Sequence, residues 1–405
     1  MRHYALKDFL RATPNELLAE YFKRDGLLSD LDFNKLTPRK IEPVFEGIQQ
    51  LPDAARAKVD TDFQDVFALA YAGGVRLLLD EARYHDLDFT DAFGQLKGHH
   101  AKAFWAFLNH KKILDDALLL ACRENLSGHW RKRRGLPTLH NADFSAQKDK
   151  FAGAIGVYFK NEGRGRACIV DYTNRDRLHY FFAYPEDYSQ SHLHYVNGVL
   201  KRDSHSPAFQ VIFLYDTAQG MLDIYHQGSK DVIQSLQGIF AQSALGIGQL
   251  APSQKEAYEL DALKHSKFQF KLRPEWGIEK ITIIQFGISR WVNREPRQWL
   301  LKCGKGSYPA AIYEELDLVA PYHPQDGRPP RASVIPYFAR IQVEFATPPG
   351  TKRKSKRTFN ITLDGCDLKY EGRDLILRQM LIDSGLEGSD DAAERKAGKP
   401  VLQPA

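Results

Sequence analysis

The spacing of hydrophobic positions changes once along this 405-residue chain. Up to about residue 127, apolar side chains recur three and four apart, as in Leu17, Leu18, Tyr21 and Phe22, or Leu114, Ala117, Leu118 and Cys122. That spacing collects them on one face of a helix. Thr13-Pro14-Asn15-Glu16 has the form of a capping box with proline in the first helical turn, and Thr37-Pro38 is expected to open a helix in the same way. Further helices are predicted at about 53–71, 75–84, 91–109 and 113–125, with Gly73-Gly74 dividing two of them. The expectation is a bundle of five or six helices over residues 1–127.

Beyond a break, alternation takes over. Residues 167–173 and 177–184 read as strands, with Leu178, Tyr180, Phe182 and Tyr184 on one face. Asn197-Gly198 is a hairpin signal, and Thr217-Ala218-Gln219-Gly220 joins strands at 209–215 and 221–226. More strands are predicted at 267–272, 280–286 and 298–303, and helices at about 146–159, 231–244, 310–318 and 373–383. In the stretch 341–363, Ile341, Val343 and Phe345 on one arm, and Phe359, Ile361 and Leu363 on the other, alternate with polar residues around Pro348-Pro349-Gly350. The fold class implied is α+β: an N-terminal helical bundle followed by antiparallel-sheet domains with flanking helices. The divisions expected are 1–127 (bundle), 128–145 (basic linker), 146–250 (antiparallel α+β), 251–387 (β-rich, with a basic hairpin and terminal helix) and 388–405 (disordered tail).

Composition adds little until charge is mapped. The chain is 43% hydrophobic and 26% charged, as folded proteins are. The start of the chain does not read as a signal peptide, no apolar run is long enough for a membrane span, and four scattered cysteines form no zinc spacing. A cytoplasmic protein without membrane contact is the expectation. The net charge is only +5, yet Lys352, Arg353, Lys354, Lys356 and Arg357 place five cations in six residues at the predicted hairpin tip. Arg131, Lys132, Arg133 and Arg134 follow Trp130 in the predicted linker, after a bundle carrying net −3. Clustered cations beside an aromatic suit phosphate pairing and base stacking. These ten residues are therefore the candidate contacts for DNA or RNA, read with low sequence specificity. Two ordinary readings compete: a solvated tip that guards a sheet edge, and a linker whose Trp130 packs on the bundle while its arginines pair with the bundle's acidic surface.

Other motifs carry less. Gly163-Arg164-Gly165-Arg166 suits a small anion-binding turn or a helix C-cap, and base rates favour the cap. His192 and His194 share a strand face, with His179 the only third ligand suggested, so no metal site is assigned. Asp364, Asp367 and Lys369, with Asp216 and Asp223, raise a metal-dependent nuclease as an alternative. The absence of HExxH, GxSxG, P-loop and GxGxxG patterns leaves no catalytic residue and no cofactor to assign.

The segments Tyr180-Phe181-Phe182-Ala183-Tyr184-Pro185-Glu186-Asp187-Tyr188 and Ile361-Thr362-Leu363-Asp364-Gly365-Cys366-Asp367-Leu368-Lys369, with the helix after them, resemble parts of uncharacterised bacterial proteins from mobile-element or phage-defence gene neighbourhoods. The resemblance covers about a quarter of the chain. It implies a setting, antiviral defence, without a mechanism. The leading expectation is a non-enzymatic nucleic-acid-binding subunit, with a protein–protein adaptor as the principal alternative.

Overall fold

The computed structural model describes all residues except 1–2, 38–39, 125–128, 197, 251–255, 293–294, 305–307, 321–330, 348–354, 371 and 388–405. The predicted Pro-rich loop at 321–330, the disordered tail, and Lys352, Arg353 and Lys354 of the basic tip lie outside the described residues. The chain divides into two compact units, Met1–Leu126 and Ser127–Ala405.

The first unit holds eight α-helices among its described residues: α1 (Leu6–Ala12), α2 (Asn15–Arg24), α3 (Glu42–Gln49), α4 (Asp53–Leu69), α5 (Ala72–Tyr84), α6 (Thr90–Gln95), α7 (His99–Asn109) and α8 (Lys111–Glu124). Their apolar faces meet in one core around Phe9, Phe22, Phe63 and Phe104, with Phe9 stacked on Phe63 at 4.7 Å. The predicted capping box does not form. Pro14 is the N-cap of α2, and the Thr13 hydroxyl instead donates to the carbonyl of Phe9 in α1. The helix start expected at Thr37-Pro38 falls on residues 38–39, outside the described residues; α3 starts at Glu42 with proline in its first turn. Gly73 and Gly74 lie inside α5 rather than before it. Gly74 is required there because a Cβ would sit 2.3 Å from the Leu69 carbonyl oxygen. The predicted helix over 91–109 is two helices, since Gly98 takes φ +83° between them.

The second unit is built on a sheet of ten described strands, antiparallel throughout. In chain order these are β1 (Trp130–Arg133), β2 (Cys168–Arg175), β3 (Leu178–Pro185), a separate pair β4 (Gln190–Val196) and β5 (Val199–His205), then β6 (Val211–Asp216), β7 (Met221–Tyr225), β8 (Ile278–Val292), β9 (Glu295–Lys302), β10 (Ile335–Phe345), β11 (Ser355–Thr362) and β12 (Gly365–Cys366). The large sheet runs β2-β3-β6-β7-β1-β12-β11-β10-β8-β9, while β4 and β5 form a two-stranded arm. Helices α9 (Lys148–Asn161), α10 (Lys230–Ser243), α11 (Ala311–Val319) and α12 (Gly372–Asp383) complete the unit.

Three expectations change here. Residues 128–145 are not simply a linker, because Trp130–Arg133 is the strand that joins the two halves of the sheet. It pairs with β7 on one side and β12 on the other, so no boundary near residue 250 separates two sheets. Residues 267–272 form no strand; Phe268 and Phe270 pack on a core without joining a ladder. And β3 is buried on both faces, Phe181 and Ala183 on one and Tyr180 and Phe182 on the other, so its alternation marks no solvent face.

Directly opposed residues share a face. Arg131 stands opposite Ile224, which packs with Phe213, Phe181 and the helices α9 and α10. Trp130 stands opposite Cys366, which itself faces Ile361 of the second core. The two cores of this unit therefore lie against opposite faces of the sheet, and β1 is where the change of side occurs.

His226, just after β7, lies against Phe159 and Phe209 at 5.9 and 5.8 Å. Burial, with help from the Arg164 charge, pushes its pKa down to about 4. A histidine whose folded value is depressed takes up its proton more readily when unfolded, so stability falls as pH drops from about 6.5 towards 4. Discounted for partial exposure, the contribution is on the order of 2 kcal/mol. His226→Phe should flatten the stability–pH curve in that window; superimposable curves would dismiss this assignment.

Candidate nucleic-acid interface

The change of side at β1 leaves its two arginines and its lysine in different surroundings. Trp130 and Lys132 point to the face of the second core. Trp130 is only 2% exposed, edge-on to Tyr370 at 5.2 Å and tilted against Tyr225 at 5.5 Å, so it is not available to stack on a base. The Lys132 ammonium lies 3.4 Å from Asp223 and donates to Glu387. Burial alone would lower its pKa, but Asp223 and Glu387 reverse the sign and hold it charged. Tyr258, Cys366 and Arg378 are buried beside this pair, and the Tyr258 hydroxyl donates to Cys366 Sγ at 3.1 Å. Arg134, at the end of the run, is buried as well. Three of the five cluster residues are thus removed from any external phosphate.

The predicted tip divides similarly. Lys356 pairs with Glu344, its cross-strand neighbour, at 2.7 Å. Arg357 holds Asp374 of α12 with two parallel bonds, Nε to Oδ1 at 2.8 Å and Nη2 to Oδ2 at 2.7 Å. The bond to Asp374 raises the Arg357 pKa. Both side chains serve the protein's own carboxylates, where the ordinary reading of this run is a solvated tip guarding a sheet edge.

Arg131 and Arg133 lie on the opposite face of β1, where they too have partners within the chain, Arg131 a carboxylate and Arg133 an amide. They line a cleft of about 1080 Å³ under α10, together with Lys230 and a row of glutamines on that helix, Gln234, Gln237 and Gln242. The β11–β12 turn closes the other wall with Thr362 and Asp364. Arg131 Nη1 donates to Asp364 Oδ1 at 2.9 Å, and Asp364 is braced by the Thr362 hydroxyl at 2.8 Å. Arg133 Nη1 points to Gln237 Oε1 at 3.4 Å, and burial lowers the pKa of its guanidinium. Gly365 allows this geometry, since a Cβ there would lie 2.1 Å from the Trp130 carbonyl oxygen. Lys230, Gln234 and Gln242 are exposed on α10 and offer donors for phosphate oxygens and both donors and acceptors for base edges, whereas Gln237 is buried against Arg133 and Arg131 is engaged by Asp364. Glu256 and Asp364 also line the groove, so it is amphoteric rather than uniformly basic.

Lys230 and the glutamines carry no signal in the sequence beyond the polar face of an amphipathic helix. The remaining motifs resolve in favour of structure. Arg164 follows α9, its backbone N–H donating to the Phe159 carbonyl and its guanidinium lying over the rings of Tyr188 and Phe209. Asp216 accepts the backbone N–H groups of Ala218 and Gln219 in a turn. Asp367 holds Asn360 through two hydrogen bonds. None of the nuclease candidates falls in the group of converging metal donors found among the described residues, which is Glu81, His85 and Asp116. His179 is hydrogen-bonded to Tyr172; the ring nearest His192 across the arm is His205, at 5.3 Å. No helix among the described residues is long and apolar enough to cross a membrane. No protein-family model and no curated protein sequence matches this chain.

Proposed function

We propose that the chain is a non-enzymatic nucleic-acid-binding subunit that holds a strand of DNA or RNA in the cleft between α10 and β1. The observation that carries this reading is that Arg131, Arg133 and Lys230 line one groove with Gln234, Gln237 and Gln242. At about 1080 Å³ the groove is at the upper end of the ~300–1,000 Å³ usual for small-molecule pockets. Cations in such a groove bind phosphate without reading sequence, and amides add modest preference. The resemblance to proteins of phage-defence and mobile-element neighbourhoods suggests a setting for such a subunit.

Replacing Gln234 by a photo-crosslinking benzoylphenylalanine tests the location. Illumination with a labelled 20-nucleotide strand should give a covalent adduct from this position. An adduct formed only from a probe placed at Lys352, or at the arm residue Tyr195, would remove the cleft from the account.

A second reading, a protein-binding adaptor, is favoured by the β4–β5 arm. Leu193, Tyr195, Val199 and Leu200 are all more than half exposed on it, an arrangement suited to a partner's apolar surface.

A further inference from the structure

We infer that Glu81, His85 and Asp116 form a binding site for a zinc-class divalent metal ion within the helical unit. Glu81 is on α5, His85 is its C-cap residue one turn later, and Asp116 faces them from α8. His85 Nε2 is 3.3 Å from Glu81 Oε1 and 3.2 Å from Asp116 Oδ2. All three donor atoms lie within 4.8 Å of one another.

The donor set itself points to an ion: one imidazole nitrogen and two carboxylates converge from α5 and α8. The two histidine–carboxylate separations also fit: tetrahedral zinc with bonds of roughly 2.0–2.1 Å places its donors about 3.4 Å apart, and the carboxylates lie within 4.8 Å of each other. Charge-assisted N–H···O bonds are typically shorter, about 2.7–2.9 Å. Glu81 is 1% exposed, whereas His85 and Asp116 are about a quarter exposed, so the buried carboxylate anchors one side and the other side opens to solvent. Mixed imidazole and carboxylate donors suit Zn²⁺, Co²⁺ or Mn²⁺ above soft ions. A bound ion would tie α5 to α8.

The test is calorimetric titration of the full-length protein with Zn²⁺, supported by the visible spectrum of the Co²⁺ form. One equivalent should bind, with intense d–d bands of a four- or five-coordinate site. Asp116→Asn and His85→Gln alter partly exposed positions and should weaken zinc binding by more than about 100-fold, beyond the usual effect of outer-shell changes. A variant with His192, His194 and His205 all changed to Asn should bind zinc as the native protein does. Failure to take up zinc, equal affinity in Asp116→Asn, or loss confined to the triple histidine variant would each overturn the assignment.

Discussion

Lys132→Met should destabilise the second unit by about 3–5 kcal/mol, the usual cost of removing one partner from a buried ion pair. The methionine fills a similar volume, so packing changes little, but Asp223 and Glu387 lose the ammonium that neutralises them. Arg378 is the remaining cation buried in that cluster, and one guanidinium cannot neutralise two carboxylates. The sign of the pH dependence follows from the raised pKa of Lys132. Its contribution is full below the unfolded value, hence throughout the neutral range, and is lost only as pH climbs through the raised folded value. Urea unfolding followed by tryptophan fluorescence, which includes Trp130 on the same strand face, reads the effect directly. A loss below about 1 kcal/mol would mean that the two carboxylates are neutralised by another route.

This result would also separate a stabilising role for Lys132 from a ligand-contacting one. If Lys132 contacted phosphate, its loss would weaken ligand binding and leave stability unchanged. With its side chain against Asp223 and Glu387, the opposite is expected.

Why the pattern Trp-Arg-Lys-Arg reads as a linker is plain in physical terms. A strand of four residues offers one apolar side chain, too few for alternation to register. Lys132 is buried only because Glu387, 255 residues further on, reaches it, and no local spacing reports such a partner. The same limit hides Lys230 and the glutamines, whose common groove exists only once α10 is laid across the sheet. Asp116 is likewise 31 residues from His85, although the i,i+4 spacing of Glu81 and His85 is visible in the sequence.

What is legible lies in stretches long enough for periodicity to accumulate. The arms around 341–363 form the ladder expected of them, Ile341 opposite Phe359 and Ala339 opposite Ile361, with Ile341, Val343, Phe345, Phe359 and Ile361 buried, while Leu363 lies beyond the strand and is only partly buried. The helices expected at 53–71 and 146–159 agree with α4 and α9 to within a few residues. Boundaries fail where backbone geometry outweighs composition. Gly74 reads as a breaker but is the residue that lets α5 approach the end of α4. Gly98 reads as ordinary but turns the chain with a positive φ. Residues 267–272 alternate like a strand, yet among the described residues no neighbour pairs with them; Lys271 N–H donates to the Ser384 hydroxyl instead.

The central claim is that Arg131, Arg133 and Lys230 together hold nucleic-acid phosphate, and the salt dependence of binding tests it most directly. Each phosphate neutralised on a single strand contributes about 0.7 to the slope of log affinity against log salt. Changing the three residues together to Gln should therefore reduce that slope by about two units and lower affinity at least about 100-fold at low salt. Changing Lys352, Arg353 and Lys354 to Ala serves as the comparison and should leave most of the slope in place. An unaltered slope in the cleft variant, with the loss appearing in the comparison variant instead, would contradict the account.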